Sequence, residues 1–210
     1  MSDLLPSLRG RSASSPRSPW GLSASILLTL LAYGNAMADD YLITDFSPDS
    51  ADLAWYVVND SVMGGRSKGD FSSGASSLLF TGATNTNGGG FSSIRTAALT
   101  LDLSAYDGIC LRVRGDGRRY TWRLSTDARV YGQPVGYWAD FDTADEEWTT
   151  VHIPFTAFVP QFRGARLRGP ALDTSRIRGM GLMIYDKRDG PFRLTLGSVH
   201  AHAPNAGPCA

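Results

Sequence analysis

The sequence predicts an all-β protein, a jelly-roll β-sandwich, from three observations. Short runs of alternating apolar and polar residues recur along the chain, most cleanly over residues 109–114 and 120–125. Clusters of Gly, Asp, Ser and Pro separate these runs at turn spacing. No stretch has the periodicity and caps of a long helix, which argues against a bundle or a βαβ fold. About eight to ten such strands suit two sheets packed face to face, each burying every second side chain.

The first 38 residues precede the sandwich and read as a targeting segment. Arg9, Arg11 and Arg17 form a basic lead, an apolar run covers 21–33, and Ala36-Met37-Ala38 has the form of a cleavage signal. The run falls short of the roughly 20 apolar residues a membrane span requires, so no transmembrane segment is expected in the mature chain. An exported protein, periplasmic or secreted, is the leading expectation. The Ser-rich basic lead also suits an organellar transit sequence, and a start at Met37 would make the protein cytoplasmic. The sandwich is expected over 39–200, with a flexible tail over 201–210.

The elements then follow in order. Residues 41–46 form a strand closed by the turn Ser47-Pro48-Asp49-Ser50, and 53–58 suits either a helical turn or a strand. Gly64-Gly65 allows a sharp backbone bend just after Asn59-Asp60. Strands are expected over 68–71, 77–81 and 91–95, with the triple glycine 88–90 before the last of them. Ile109, Leu111 and Val113 alternate with Cys110, Arg112 and Arg114; after Gly115-Asp116-Gly117, Tyr120, Trp122 and Leu124 alternate with Thr121, Arg123 and Ser125. Hairpin pairing of these two strands would place Arg112, Arg114 and Arg123 on one face. Tyr137, Ala139 and Phe141 alternate with Trp138, Asp140 and Asp142. A strand lies within 148–158, with Pro154 marking an edge, bulge or end. Residues 161–175 form a long connection carrying Arg163, Arg166 and Arg168, and 176–185 with 191–199 make the last pair. Tyr56, Trp122, Trp148 and Phe192 are the expected core aromatics.

Charge and cysteine content bound the function. Twenty basic residues balance twenty acidic ones, which excludes a nucleic-acid surface built on bulk positive charge. Cys110 and Cys209 allow one intramolecular disulfide or two separate thiols. Neither a CxxC motif nor a His/Cys spacing points to a metal, and no cofactor motif is present. Asp140 and Asp142 share a strand face about 7 Å apart, weak support for hydrolysis. His152, His200 and His202 lack the setting of a catalytic triad and read as surface residues. No catalytic residue is assigned.

The candidate binding or structural residues are Asn59, Asp60, Arg66, Asn87, Arg95, Arg114, Asp116, Trp138 and Asp140. Asp60 is expected to accept backbone N–H bonds in the glycine turn, with ligand binding as its other reading. Arg95 and Arg114 are expected to pair with Asp60 and Asp116, since the guanidinium fork matches a carboxylate. An exposed Trp138 beside Asp140 would suit a sugar.

Several motifs in this order resemble one family: Asn59-Asp60-Ser61-Val62-Met63-Gly64-Gly65-Arg66-Ser67, Gly88 to Arg95, Leu111 to Gly117, Ile153-Pro154-Phe155, Phe162-Arg163-Gly164 and Asp186 to Phe192. The chain is similar over about 43–199 to the complex I intermediate-associated protein 30 (CIA30) family. The resemblance implies a galactose-binding-like jelly roll without a catalytic centre. It also implies an assembly-factor role with protein partners, among them subunits of a membrane complex. A carbohydrate- or small-ligand-binding module of the cell envelope is the alternative.

Overall fold

The computed structural model describes residues 39–209, so the expected targeting segment lies outside the described residues. Among the described residues thirteen strands form: β1 (Tyr41–Thr44), β2 (Tyr56–Asn59), β3 (Lys68–Ser73), β4 (Leu78–Thr84), β5 (Ser92–Arg95), β6 (Gly108–Asp116), β7 (Arg119–Val130), β8 (Gln133–Asp142), β9 (Asp145–Pro154), β10 (Val159–Phe162), β11 (Ala165–Arg166), β12 (Gly179–Ile184) and β13 (Gly190–His202). They build two antiparallel sheets. One runs β3-β4-β13-β6-β9 with β1 also on β13; the other runs β11-β10-β8-β7-β12-β5-β2. The all-β sandwich is therefore as predicted, with more strands because several span only two to four residues.

Alternation decides what lies between the sheets. Phe80, Ile109, Leu111, Val113, Leu194 and Leu196 face inward from the six-stranded sheet, and Ile94, Tyr120, Trp122, Leu124, Tyr137 and Leu182 meet them from the other; all are fully or almost fully buried. Each such side chain contributes about 1.5–3 kcal/mol by leaving water. Of the expected core aromatics, Trp122 and Phe192 are buried, whereas Tyr56 is 47% exposed and Trp148 is 40% exposed. Trp148 pairs in register with Arg114 and so shares the outward face of β6, where the Arg112 guanidinium lies 4.8 Å from its ring centre.

Two expected hairpins do not form. β6 and β7 are joined by a tight turn through Gly117 (φ +74°) yet belong to opposite sheets, and β12 and β13 are likewise divided. Both members of such a pair still turn an apolar face to one core, which satisfies the alternation as well as a hairpin would. Arg112 and Arg114 consequently lie on the outside of one sheet and Arg123 on the outside of the other.

The Asp186–Gly190 connection between the sheets is locked by Arg118, which is 6% exposed. Its guanidinium binds both oxygens of Asp186 (2.9 and 2.6 Å) and donates to the carbonyls of Arg188, Gly190 and Pro191 and to the Thr84 hydroxyl. At the other end of the sandwich Cys110 and Cys209 form a disulfide, Cα atoms 5.9 Å apart. β13 continues through His202, and Ala203 is fully buried. Residues 201–203 therefore belong to the sandwich rather than to a tail, and Cys209 is tied back onto β6.

Candidate functional site

The outer face of the seven-stranded sheet carries a row of side chains set by register. Tyr56 on β2 opposes Arg95 on β5, Arg95 opposes Gly181 on β12, Gly181 opposes Arg123 on β7, and Arg123 opposes Trp138 on β8. All point away from the core because their sequence neighbours Ile94, Leu182, Trp122 and Tyr137 point into it. Gly181 leaves the centre of the row empty: a Cβ there would stand 3.3 Å from Arg95 Cγ and 2.6 Å from the Ile94 carbonyl oxygen. The two arginines thus approach each other across a residue with no side chain.

A groove of about 620 Å³ lies over the Arg95, Arg123 and Trp138 positions of this row. Arg95, Arg123 and Trp138 form its floor; Val62, Met63, Phe91, Phe162 and Tyr185 supply apolar walls. Tyr185 makes edge-to-face contact with both Trp138 and Phe91, ring centres 6.5 and 6.4 Å apart. The Arg123 guanidinium sits 4.9 Å from the centre of the Trp138 ring, and Lys187 Nζ sits 3.5 Å from that of Tyr185. A second hollow of about 280 Å³, lined by Tyr56, Arg178 and Met180, adjoins it across the same two arginines.

The arginines lack anionic partners. Among the described residues neither makes an ion pair, and Arg95 Nε, Arg123 Nε and Nη1 and Trp138 Nε1 are buried donors without an acceptor. Burial, reinforced by the charge of Arg95, lowers the Arg123 pKa to about 9, and burial lowers that of Arg95. Arg123 remains a cation at neutral pH. A group carrying a carboxylate or another anion would satisfy these donors and oppose the repulsion between the two charges.

One wall of the groove depends on the Asn59–Ser67 stretch. Asp60 is fully buried and accepts from Ser67 N (2.9 Å), Ser67 Oγ (2.6 Å), Gly90 N (2.7 Å) and Phe91 N (3.3 Å). Burial opposes its charge, but these donors outweigh it and hold the carboxyl below the usual carboxylate range. A Cβ on Gly65 or Gly89 would come within 2.2 or 2.4 Å of the carboxyl group, so glycines close around it on two sides. Asn59 bonds both backbone groups of Gly69 at 3.1 Å and accepts from Ser92 Oγ. The knot holds the 3-10 turn Asp60–Met63, which presents exposed Val62 and Met63 to the groove.

Of the sequence candidates, the structure brings Arg95 and Trp138 into the groove and places Asn59 and Asp60 in the knot behind its wall. Arg66 and Asn87 are exposed beside the knot. Asp140 is exposed and accepts from Thr121 Oγ1 at 2.6 Å. The expected Arg95/Arg114 network with Asp60/Asp116 is corrected. Arg114 pairs with Glu146 on the outside of the opposite sheet, and Asp116 accepts from Tyr120 Oη and the Arg193 backbone N–H. A whole core separates Arg95 from Arg114. Arg123, Gly181 and Tyr185 were missed, although the outward position of Arg123 followed from its strand's alternation.

Comparison with known proteins bears on both the fold and the family. A family model for complex I intermediate-associated protein 30 (CIA30) matches residues 44–196. The mitochondrial protein of that name from Drosophila melanogaster is 29% identical over 182 residues, covering 75% of this chain and 61% of the fly protein. An uncharacterised protein of Schizosaccharomyces pombe is 31% identical over 173 residues, 71% of this chain and 78% of its own length. Among solved structures, the family 11 carbohydrate-binding module of a Clostridium thermocellum cellulase aligns at TM-score 0.57 and 17% identity, over 79% of this chain and 96% of the module. The agarase AgWH50C aligns at TM-score 0.56 and 11% identity, over 81% of this chain and 26% of the enzyme. At such identities these two show a shared sandwich fold alone.

Proposed function

Because the chain belongs to the complex I intermediate-associated protein 30 family, we propose that it is a non-catalytic, assembly-factor-like module that holds an acidic, partly apolar segment of a client protein. The observation that carries this reading is the pair of partnerless guanidinium groups meeting over Gly181 in an aromatic-walled groove. Such a pair gains from a carboxylate what its own fold withholds, and the Val62, Met63 and Phe162 walls add apolar contact. The names of the fly and mouse relatives, both mitochondrial, support subunits of respiratory complex I as clients and an organellar address for the leader. The chain spans 61% of the fly protein's length, so its partners are part of the proposal.

A sugar ligand is the second reading, favoured by the Trp138–Tyr185–Phe91 aromatic series. Sugar stacking needs open ring faces, however, and a cation covers one face of Trp138 and one of Tyr185. This weighs toward an anionic ligand.

Affinity capture from native membranes tests the two readings together. The wild-type chain should enrich immature complex subunits, and Arg95→Ala/Arg123→Ala should reduce recovery by about tenfold or more, since each charged hydrogen bond contributes about 1.5–3 kcal/mol. Equal recovery by the variant would remove the groove from the proposal. Recovery of free protein only, with saturable binding on a glycan array, would replace it with the sugar reading.

A further inference from the structure

The chain has three histidines and two cysteines, and all of them converge on the outer face of the six-stranded sheet. Cys110 on β6 opposes His200 on β13 and His152 on β9, so these three side chains project from one face. His202 lies two residues beyond His200 on the same side. Its ring and that of His152 meet at 4.6 Å between centres. Gly108 makes room for this meeting: a Cβ there would stand 2.5 Å from His152 Nε2. Cys209 closes over the cluster from the C-terminal segment.

The donor atoms of Cys110, Cys209 and His202 lie within 4.8 Å of one another, as do those of Asp107, His152 and His202. His202 belongs to both groups, so it links two thiol sulfurs to a second imidazole. Its Nδ1 lies 2.9 Å from Asp40 Oδ1, and Asp40 is itself held by the Ala203 N–H at 2.9 Å. A carboxylate on one ring nitrogen is the arrangement that orients a metal-binding histidine through the other.

We propose that the Cys110–Cys209 disulfide is the oxidised form of a zinc site, in which reduction delivers two thiolates to His202 and makes a Cys₂His site with its fourth position open to water. The bond broken is S–S. A cellular thiol attacks the partly exposed Cys209 sulfur, whereas Cys110 is 2% exposed and shielded. A second thiol resolves the mixed disulfide, leaving two protein thiols and one oxidised thiol pair. Zinc then binds Cys110, Cys209 and His202, takes a water as its fourth ligand and displaces the two thiol protons. In an oxidising compartment the disulfide ties the C-terminal segment to β6; in a reducing one zinc does so through the same residues. The wide sequence spacing of the three protein ligands hides the site from any motif, which is why no metal was expected.

The test uses the full chain, reduced with a phosphine, desalted without oxygen and titrated with Co²⁺ as a spectroscopic probe. One equivalent should produce tetrahedral d–d bands and a thiolate-to-cobalt charge-transfer band, and one equivalent of Zn²⁺ should abolish both. The oxidised protein should remain silent. Asp40→Asn should weaken binding by about 10–100-fold, and His202→Ala by at least as much. No charge-transfer band in the reduced wild type, or undiminished affinity in His202→Ala, overturns the proposal. Should His202→Ala fail to fold, Cys209→Ser decides, because its position lies outside every strand: a band reduced by half or more together with weaker binding supports the site, and an unchanged band and affinity overturn it.

Discussion

Arg118→Met is expected to destabilise the protein by about 4 kcal/mol, measured as a shift in urea midpoint at unchanged slope. The substitution preserves most of the side-chain volume but removes the fork between the sheets. Asp186 is then buried without its cation, and three carbonyls and the Thr84 hydroxyl lose a donor. Arg118→Lys should recover only part of the loss, because one ammonium cannot reach acceptors spread over a planar fork. Arg118→Met/Asp186→Leu separates the terms. Full recovery would show that the buried charge alone was responsible, whereas persistent loss, the expected result, assigns a share to the orphaned carbonyls.

Asp60→Ala is expected to cost a comparable amount, about 3–4 kcal/mol, by leaving Ser67, Gly90 and Phe91 donors buried without an acceptor. Asp60→Asn should cost less, because an amide oxygen can still serve the Gly90 side. Gly65→Ala and Gly89→Ala should each lose about 1–3 kcal/mol through collision with the carboxyl group. The pH dependence carries a sign. The folded carboxyl titrates below its unfolded value of about 3.9, so its stabilisation is present above about pH 4 and is lost as pH falls through the folded value. Asp186 is shifted in the same direction: burial raises its pKa, but Arg118 outweighs it. Thermal melts across that range should show a shallower acid loss in Asp60→Ala than in wild type; parallel curves would deny Asp60 its role. Because the knot positions Val62 and Met63, the variant should also weaken client binding beyond what its residual folded fraction explains.

Single residues show how far the sequence could be read. Tyr137 and Trp138 are adjacent aromatics, and alternation correctly sends the first into the core and the second outward. Trp148 was misassigned because size and apolarity suggested the core, whereas its register with Arg114 places it outside. Asp60 was legible as an acceptor because it sits beside paired glycines; its donors from Gly90 and Phe91 were not, because they lie thirty positions away in sequence. The groove was half legible. Arg95 and Trp138 stood out as candidates, but nothing local joins them to Arg123 and Tyr185.

By itself the sequence determined the sandwich, the inward and outward side of most strands, and membership of a family whose motifs run along nearly the whole domain. These are local or collective properties, carried by the period of two and by turn chemistry. The tertiary structure alone decided which sheet each strand joins, and therefore which outward residues become neighbours. Arg112, Arg114 and Arg123 parted; Arg95, Gly181 and Arg123 met; the cysteines and histidines gathered from positions 110 to 209. The physical reason is that burying an apolar face constrains a strand's orientation but not its partner. Partner choice rests on long-range packing and a few buried polar locks such as Arg118–Asp186, and these have no signature within any short stretch of chain.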